Sequence, residues 1–328
     1  MTFRRRLLGA GAVLAAALAG SFAASAPAFA YPDKPVTLVV PFPPGGSTDA
    51  IARALGPKLQ EKLGGTFIVD NKAGATGTIG AGQVKRAAPD GTTLLVSSLG
   101  PLVIAPHLLK GVPYDATKDF DLITVAVQAP NVLVVPGSSR FKSVADVLAE
   151  LKKNGSKMSF ASSGNGSSDH LTAELFWLQT GTEAIHVPYK GGAPAITDLL
   201  GGSVDASFQN INAVLQHIHA GKLRALAITG ASRSSLLPNV PTLTESGVKG
   251  VDVYSWQAVA APKGLAADVK AKLYGALVAA LNDPVLKTKL VEQGFEIVAN
   301  TPEQFTKFQA AEYARWKTVI ETRKITAD

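Results

Sequence analysis

The sequence contains no cysteine, so neither disulfides nor thiolate metal sites hold the fold, even in an oxidising compartment. Charged residues make up only 17% of the 328, against 46% hydrophobic residues. That is too little charge for intrinsic disorder and ample apolar material for a packed core. Beyond residue 30 no stretch approaches membrane-spanning length without charges, so the rest of the chain is expected to be soluble. The common enzyme signatures are missing as well. There is no G-x-x-x-x-G-K-[ST] and no G-x-S-x-G elbow, and Gly164-Asn165-Gly166 breaks the G-x-G-x-x-G pattern at its last glycine. The five histidines, His107, His170, His186, His217 and His219, contain no H-E-x-x-H, and His217-x-His219 on a helix would project to different sides. Neither a metal site nor a cofactor is expected.

What is present begins with an export signal. Arg4-Arg5-Arg6 precede an apolar run from Leu7 to about Ala24, and Ala28-Phe29-Ala30 forms a small-residue cleavage site before Tyr31. The alternative is a retained membrane anchor; the predominance of Gly and Ala in the run and the site that follows favour cleavage after Ala30. Arg4-Arg5-Arg6-Leu7-Leu8 also approximates a twin-arginine signal, and both routes end outside the cytoplasm. Loss of residues 1–30 leaves 298 residues, enough for one large or two ordinary domains. It also removes three arginines, lowering the net charge from +7 to +4, which argues against a nucleic-acid partner.

Strand-like and helix-like runs alternate through those residues, the pattern of an α/β protein with mostly parallel sheets. Val36 to Val40 reads as a strand buried on both faces. The loop Pro41-Phe42-Pro43-Pro44-Gly45-Gly46 follows, and Ser47 or Thr48 is placed to cap a helix with Ile51, Leu55, Leu59 and Leu63 along one face. Further strands are expected over Thr66–Val69, Thr92–Ser97, Leu122–Val127, Val132–Val135, Met158–Ala161, Val204–Phe208 and Leu223–Thr229. Helices are expected over Thr78–Ala88, Val144–Lys153, Asp169–Leu178, Ala193–Leu200 and Ala266–Leu281. Thr301-Pro302-Glu303-Gln304 carries the signature of a capping box. Strand, glycine-rich turn and helix recur about 120 residues apart, at Val36–Leu63 and Met158–Leu178, which suggests two similar lobes. Leu122–Val135 and Val251–Ala261 are the expected crossings. Residues 31–130 and 255–328 then form one lobe and 131–254 the other, with a ligand cleft between them beyond the carboxyl ends of the strands.

Three loops suit an anion. The first, ending at Gly45-Gly46, leads into a helix N-terminus, where unpaired N–H groups and the macrodipole favour negative charge. Ser162-Ser163-Gly164-Asn165-Gly166-Ser167-Ser168 repeats the arrangement with more hydroxyls, and Tyr189-Lys190-Gly191-Gly192 precedes a third helix. Each is also what an ordinary strand-to-helix turn looks like; the triplet carries more weight than any member. Asp49 has two readings, a charge complementing the helix dipole or a carboxylate reaching the cleft. Lys190 is either a solvated loop lysine or a positive charge beside the ligand. Trp177, Trp256 and Trp316 read as core, with Trp256 also placed to line the cleft. Ser167, Asp169 and His170 invite a hydrolase reading, but adjacent residues at a helix start point about 100 degrees apart and do not line up in relay.

In order along the chain, several segments resemble the Bug-type (TctC-like) periplasmic receptors, the solute-binding components of tripartite tricarboxylate transporters. They are Tyr31-Pro32-Asp33-Lys34-Pro35, Val39-Val40-Pro41-Phe42-Pro43-Pro44-Gly45-Gly46, Asp70-Asn71-Lys72-Ala73-Gly74-Ala75 and Tyr114-Asp115-Ala116-Thr117-Lys118-Asp119-Phe120. Ser162-Ser163-Gly164-Asn165-Gly166-Ser167-Ser168, His186-Val187-Pro188-Tyr189-Lys190-Gly191-Gly192, Gly221-Lys222-Leu223-Arg224-Ala225-Leu226-Ala227 and Leu237-Pro238-Asn239-Val240-Pro241-Thr242 continue the likeness. It covers essentially everything after residue 30. The resemblance implies a two-lobed Venus-flytrap fold of the periplasmic-binding-protein type, type II-like, that closes on a small organic carboxylate. It further implies delivery to the transporter's membrane subunits, or presentation to a sensor protein, without catalysis. Carried over by position, one lobe's contacts are Phe42, Gly46, Ser47, Thr48, Asp49 and Ser98. The other's are Ser163, Gly164, Gly166, Ser167, Ser168, Lys190, Gly191 and Asn210. Ala105, the stretch Val204–Asn210 and Trp256-Gln257 depart from the usual pattern, which bears on the distal end of the ligand rather than on the grip. A monomer is expected, since the working surface is the cleft itself.

Overall fold

Val36–Val40 (β1) is almost wholly buried, as its run of branched apolar residues requires. In this computed structural model, which describes residues 31–326, β1 leads through a Pro/Gly loop into α1 (Ser47–Leu63); the export signal lies outside the described residues. There follow β2 (Phe67–Asn71), α2 (Thr78–Lys85), β3 (Thr93–Ser98), a tight turn over Gly100–Ile104 and the short α3 (Ala105–Leu108). A long strand, β4 (Phe120–Pro136), comes next. Then come α4 (Val144–Asn154), β5 (Ser159–Ser162), α5 (Ser168–Thr180), β6 (Ile185–Pro188), α6 (Gly192–Gly201), β7 (Ala206–Asn210), α7 (Ile211–His219) and β8 (Leu223–Ile228). The chain ends with β9 (Tyr254–Pro262), α8 (Ala267–Leu281), α9 (Pro284–Glu292), β10 (Glu296–Ile297) and α10 (Pro302–Arg323).

The strands form two joined sheets, the two halves of a two-lobed α/β molecule. In the first, β2, β1 and β3 are parallel, and β9 and β4 continue it antiparallel, with β10 beside β4. In the second, β6, β5 and β7 are parallel, and β7 and β8 flank the far half of β4 antiparallel. Parallel pairing is thus concentrated in the outer strands of each half, where helices connect them, and gives way at the junction.

β4 belongs to both sheets: Phe120 to Pro130 pair with β9, and Asn131 to Pro136 pair with β7 and β8. The sequence pattern gives separate strands over Leu122–Val127 and Val132–Val135 within one extended crossing, and between them lies Pro130, which donates no ladder hydrogen bond. The strand nevertheless runs through, because Pro130 falls where one set of partners ends and the next begins. β9 lies wholly in the first sheet. The return from the second half is made by the segment 229–253, tied in by Thr229 Oγ1, which donates to Val253 O and accepts from Asn131 N.

Two apolar cores cover opposite faces and each continues across the junction. One holds Phe160, Trp177, Phe208, Trp256, Phe305 and Trp316; the other holds Leu38, Ile51, Leu55, Val96, Val259 and Leu281. The capping box at Thr301 forms as expected, Thr301 Oγ1 accepting from Gln304 N and Gln304 Oε1 from Thr301 N. It starts α10 with Phe305 and Phe308 edge-on to Trp256. Trp256 is therefore core, as one of its two readings has it.

Candidate functional site

The loop before α1 is built by one carboxylate. Asp49 is buried, its Oδ2 accepting from Gly45 N and Arg53 Nε at 3.0 Å and its Oδ1 from Asn71 Nδ2 at 3.0 Å. Asn71 Nδ2 also donates to Phe42 O, so a residue at the end of β2 and one in the first turn of α1 hold both sides of the loop. Burial alone would raise the Asp49 carboxyl's pKa; the donors Arg53, Gly45 and Asn71 outweigh it and hold it below the ordinary carboxylate value. All this directs Asp49 at its own loop.

The helix start differs from the expected Ser47 or Thr48 cap. Gly46 occupies the cap position in extended conformation, and no side chain accepts from the first-turn amides. Ser47 is already helical, and its hydroxyl accepts instead from Asn212 Nδ2 of α7 at 2.9 Å. A glycine cap lacks the acceptor that serine or aspartate would supply, so the N-terminal donors of α1 remain open.

The second loop repeats the design 120 residues on. Asp169, buried in the first turn of α5, accepts from Ser163 N and Ser163 Oγ at 2.7 Å and from Gln209 Nε2 at 3.2 Å. Gly166 N donates to His170 Nδ1, and Ser167 Oγ donates to Gly164 O while accepting from His170 N. These bonds leave no relay among Ser167, Asp169 and His170: the hydroxyl, the carboxylate and the ring each face a different part of the loop.

A histidine pair underlies this loop. His170 and His186 stack at 4.0 Å, Ser162 Oγ lies 2.6 Å from His186 Nε2, and His170 Nε2 lies 3.7 Å from Glu174, which in turn accepts from Arg323 of α10. Burial, with the neighbouring His170, pushes His186 down to about 4 from its ordinary 6.5, and Glu174 opposes this only weakly. Below its ordinary value the unfolded chain takes up a proton that the folded chain refuses, so stability falls as pH drops from about 6.5 to about 4. Glu174 is held below its ordinary value of 4.5 because its hydrogen bonds from His170 and Arg323 outweigh burial, so its contribution is lost only further down. His186→Gln should flatten the melting temperature between pH 6.5 and 4.5, as thermal melts across that range would register; an unchanged slope would remove His186 as its source.

The third loop abuts the second: Gly191, at φ +119°, donates its N–H to Ser163 O, and α6 starts with no side-chain cap. Lys190 is exposed and has no ion-pair partner among the described residues. Asn210, at the end of β7, donates to Asn131 Oδ1 and to Ser168 Oγ, while Asn131 Nδ2 donates to Thr172 Oγ1. Ser98 ends β3.

The two halves meet at these loops. Besides the Ser47 to Asn212 hydrogen bond, Gly166 packs against Thr76, Ile104 and Leu108. Phe42 reaches Gly100 beside Thr76, closing a chain of contacts from the first loop to the second. Of the predicted residues, Phe42, Ser47 and Gly166 take part in these contacts, while Gly46, Thr48, Ser98, Ser163, Gly164, Ser167, Ser168, Gly191 and Asn210 lie on the strand ends, loops and helix starts next to them in sequence or in their own half. Asn71, Asn131, Gln209 and Asn212 contribute hydrogen bonds that sequence reading did not anticipate. A polar residue at or near a strand end was the available signal for Asn71 and Gln209; Asn131, inside a long strand, and Asn212, on a helix, carried none.

Residues 51–325 match the family model described as the tripartite tricarboxylate transporter family receptor. BugT of Bordetella pertussis is 40% identical over 299 residues, 91% of this chain and 92% of that protein. A Rhodopseudomonas palustris protein solved with adipate superposes with a TM-score of 0.85 at 35% identity, covering 90% of this chain and 99% of that one. MatC of the same organism, solved with malate, gives 0.82 at 30% identity, with 88% and 100% covered.

Proposed function

Because the chain belongs to the tripartite tricarboxylate transporter receptor family, we propose that it captures a small organic carboxylate between its two lobes. It does so in the periplasm and delivers the ligand to the membrane subunits of such a transporter. The carrying observation is the pair of loops, 120 residues apart, each braced by a buried aspartate and each opening on a helix N-terminus at the same junction. Relatives of the same fold are solved with adipate and with malate. In this reading the chain is exported and its signal is cleaved after Ala30. Residues 31–130 with 255–328 form the first lobe and 131–254 the second.

The carboxylate is held by donors at the helix starts, Gly46, Ser47 and Thr48 from the first lobe and Ser168 from the second, while Ser163, Gly164, Gly166 and Ser167, whose donors are engaged within their own loop, shape the wall around it. Phe42, Ser98, Gly191 and Asn210 complete the walls, and Lys190 adds a positive charge at the rim. Asp49 and Asp169 act by holding the loops. Such a site suits an anion without a cation beneath it, since fixed amide dipoles supply the field and cost no reorganisation on binding. The role is binding without turnover, by a monomer. Calorimetry of the exported protein against mono-, di- and tricarboxylates should give saturable one-to-one binding that disappears when the carboxyl is esterified. A folded protein that binds no member of the panel would reject the reading.

A further inference from the structure

Gln257 lies directly opposite Ser98, the last residue of β3, in the β3–β9 pair. Directly opposed residues of antiparallel strands share one face. Along that face of β3 run Leu94, Val96 and Ser98; Leu94 and Val96 belong to the core that includes Ile51 and Leu55 of α1. Since α1 follows β1, which is parallel to β3, it runs back over the sheet and its N-terminus stands at the carboxyl end of both strands. Ser98 and Gln257 therefore lie beyond the apolar core, toward the end of the sheet where Ser47 and Thr48 begin the helix.

Gln257 is 1% exposed, its Nε2 donating to Ser255 Oγ at 3.2 Å, while its Oε1 is buried with no hydrogen-bond partner. A buried carbonyl oxygen without a donor is costly unless something else meets it. We infer that Gln257, with Ser98 beside it, reads the part of the ligand remote from the gripped carboxylate, and that the cargo carries a neutral hydrogen-bond donor there, as a hydroxylated carboxylic acid does. A second carboxylate would face an acceptor oxygen. An ammonium group would find the buried carboxylates at this junction, Asp49 and Asp169, already taken by protein donors.

This inference rests on the carboxylate reading above. The test is calorimetry of the intact protein with short hydroxylated carboxylic acids, their deoxy counterparts and the matching dicarboxylates, repeated on Gln257→Met and Gln257→Leu. The hydroxylated member should bind about tenfold or more tighter than its deoxy counterpart, the worth of a buried hydrogen bond not left unmade. Both substitutions should bring that ratio close to one while the deoxy acid still binds. Each loses only the hydrogen bond from Gln257 Nε2 to Ser255 Oγ, and Gln257→Met keeps the side-chain length, so folding survives. A ratio unmoved in both variants overturns the role of Gln257. A preference for dicarboxylates that the variants abolish overturns the donor assignment. Failure of every acid to bind the unsubstituted protein overturns the carboxylate reading itself and this inference with it.

Discussion

Gly166→Ala should weaken ligand binding by about tenfold to a hundredfold while leaving both halves of the molecule folded, the equivalent of the ~1–3 kcal/mol that overpacking a tight contact costs. A Cβ at this position would lie 3.0 Å from Leu108 Cδ2 and 3.1 Å from both Ile104 Cγ2 and Thr76 Cγ2. Those three side chains belong to the half of the chain that carries the first sheet, and Gly166 to the loop of the second. The added methyl is therefore felt when the halves are together. Gly166 also sits at φ +75°, so part of the cost is backbone strain of about 1–2 kcal/mol, paid whether the halves are open or closed. Gly45→Ala is the control. At φ +87° it is strained too, but its Cβ would meet nothing within 4 Å. Calorimetry and thermal melts on the two variants separate the contributions: similar melting temperatures with an affinity loss confined to Gly166→Ala is the expected pattern. Equal affinity losses in both would show that strain, and not contact between the halves, governs binding.

Asp169→Ala should remove binding and destabilise the protein by about 3 kcal/mol or more, because hydrogen bonds to a charged group are worth about 1.5–3 kcal/mol each and their donors are left behind buried. The carboxylate accepts three hydrogen bonds at 3% exposure, two from Ser163 and one from Gln209. With it gone, Ser163 N–H and Gln209 Nε2 lose an acceptor in a dry environment, and the Ser163–Gly164 turn loses the anchor that sets its direction. Asp49→Ala should cost less stability, since Arg53, one of its three donors, is half exposed and regains water. Urea unfolding beside ligand titration measures both effects. A variant at Asp169 with unimpaired binding would show that the loop holds its shape without the carboxylate.

Why these aspartates were only half legible in the sequence is a matter of direction. Asp49 and Asp169 are first-turn acids, and an acid there stabilises a helix wherever its side chain points. Whether the side chain reaches into the cleft or folds back on its own loop depends on donors 20 to 40 residues away, Asn71 and Gln209, which no local pattern links to it. The alternation of strands and helices, and the Thr301 cap, were readable because they depend on residues within a few positions of each other. β4 reads as two strand-like runs, Leu122–Val127 and Val132–Val135, inside one extended crossing; the change of partners at Pro130, a property of the whole sheet, is what lets one strand run through both. The capping position of α1 was misplaced for a related reason. Ser47 and Thr48 are good caps in isolation, but Gly46 takes the extended conformation and Asn212, far along the chain, engages the Ser47 hydroxyl. Trp256 shows the converse, since its surroundings on α10 could be guessed from an apolar neighbourhood alone.

The relation between the two loops does most to explain how a cleft without a dedicated cation can hold an acid. Both present a glycine-rich turn drawn tight by an internal carboxylate, so the negative charge of Asp49 and Asp169 is spent on donors of their own loops; α1 starts without a side-chain cap, while in α5 Ser167 caps His170 N, and the proposed ligand meets the first amides of each helix. If the carboxylate is gripped as proposed, backbone amides on opposite halves reach it together only in a closed form, and binding is coupled to closure.

The most direct measurement is a backbone amide titration by NMR with a carboxylate that binds. The amides of Ser47, Thr48 and Asp49 should move together with those of Gly166, Ser167, Ser168 and Asp169, along a single isotherm. Shifts confined to one of the two groups, or centred on residues elsewhere while these stay still, would contradict a carboxylate gripped between opposed helix starts.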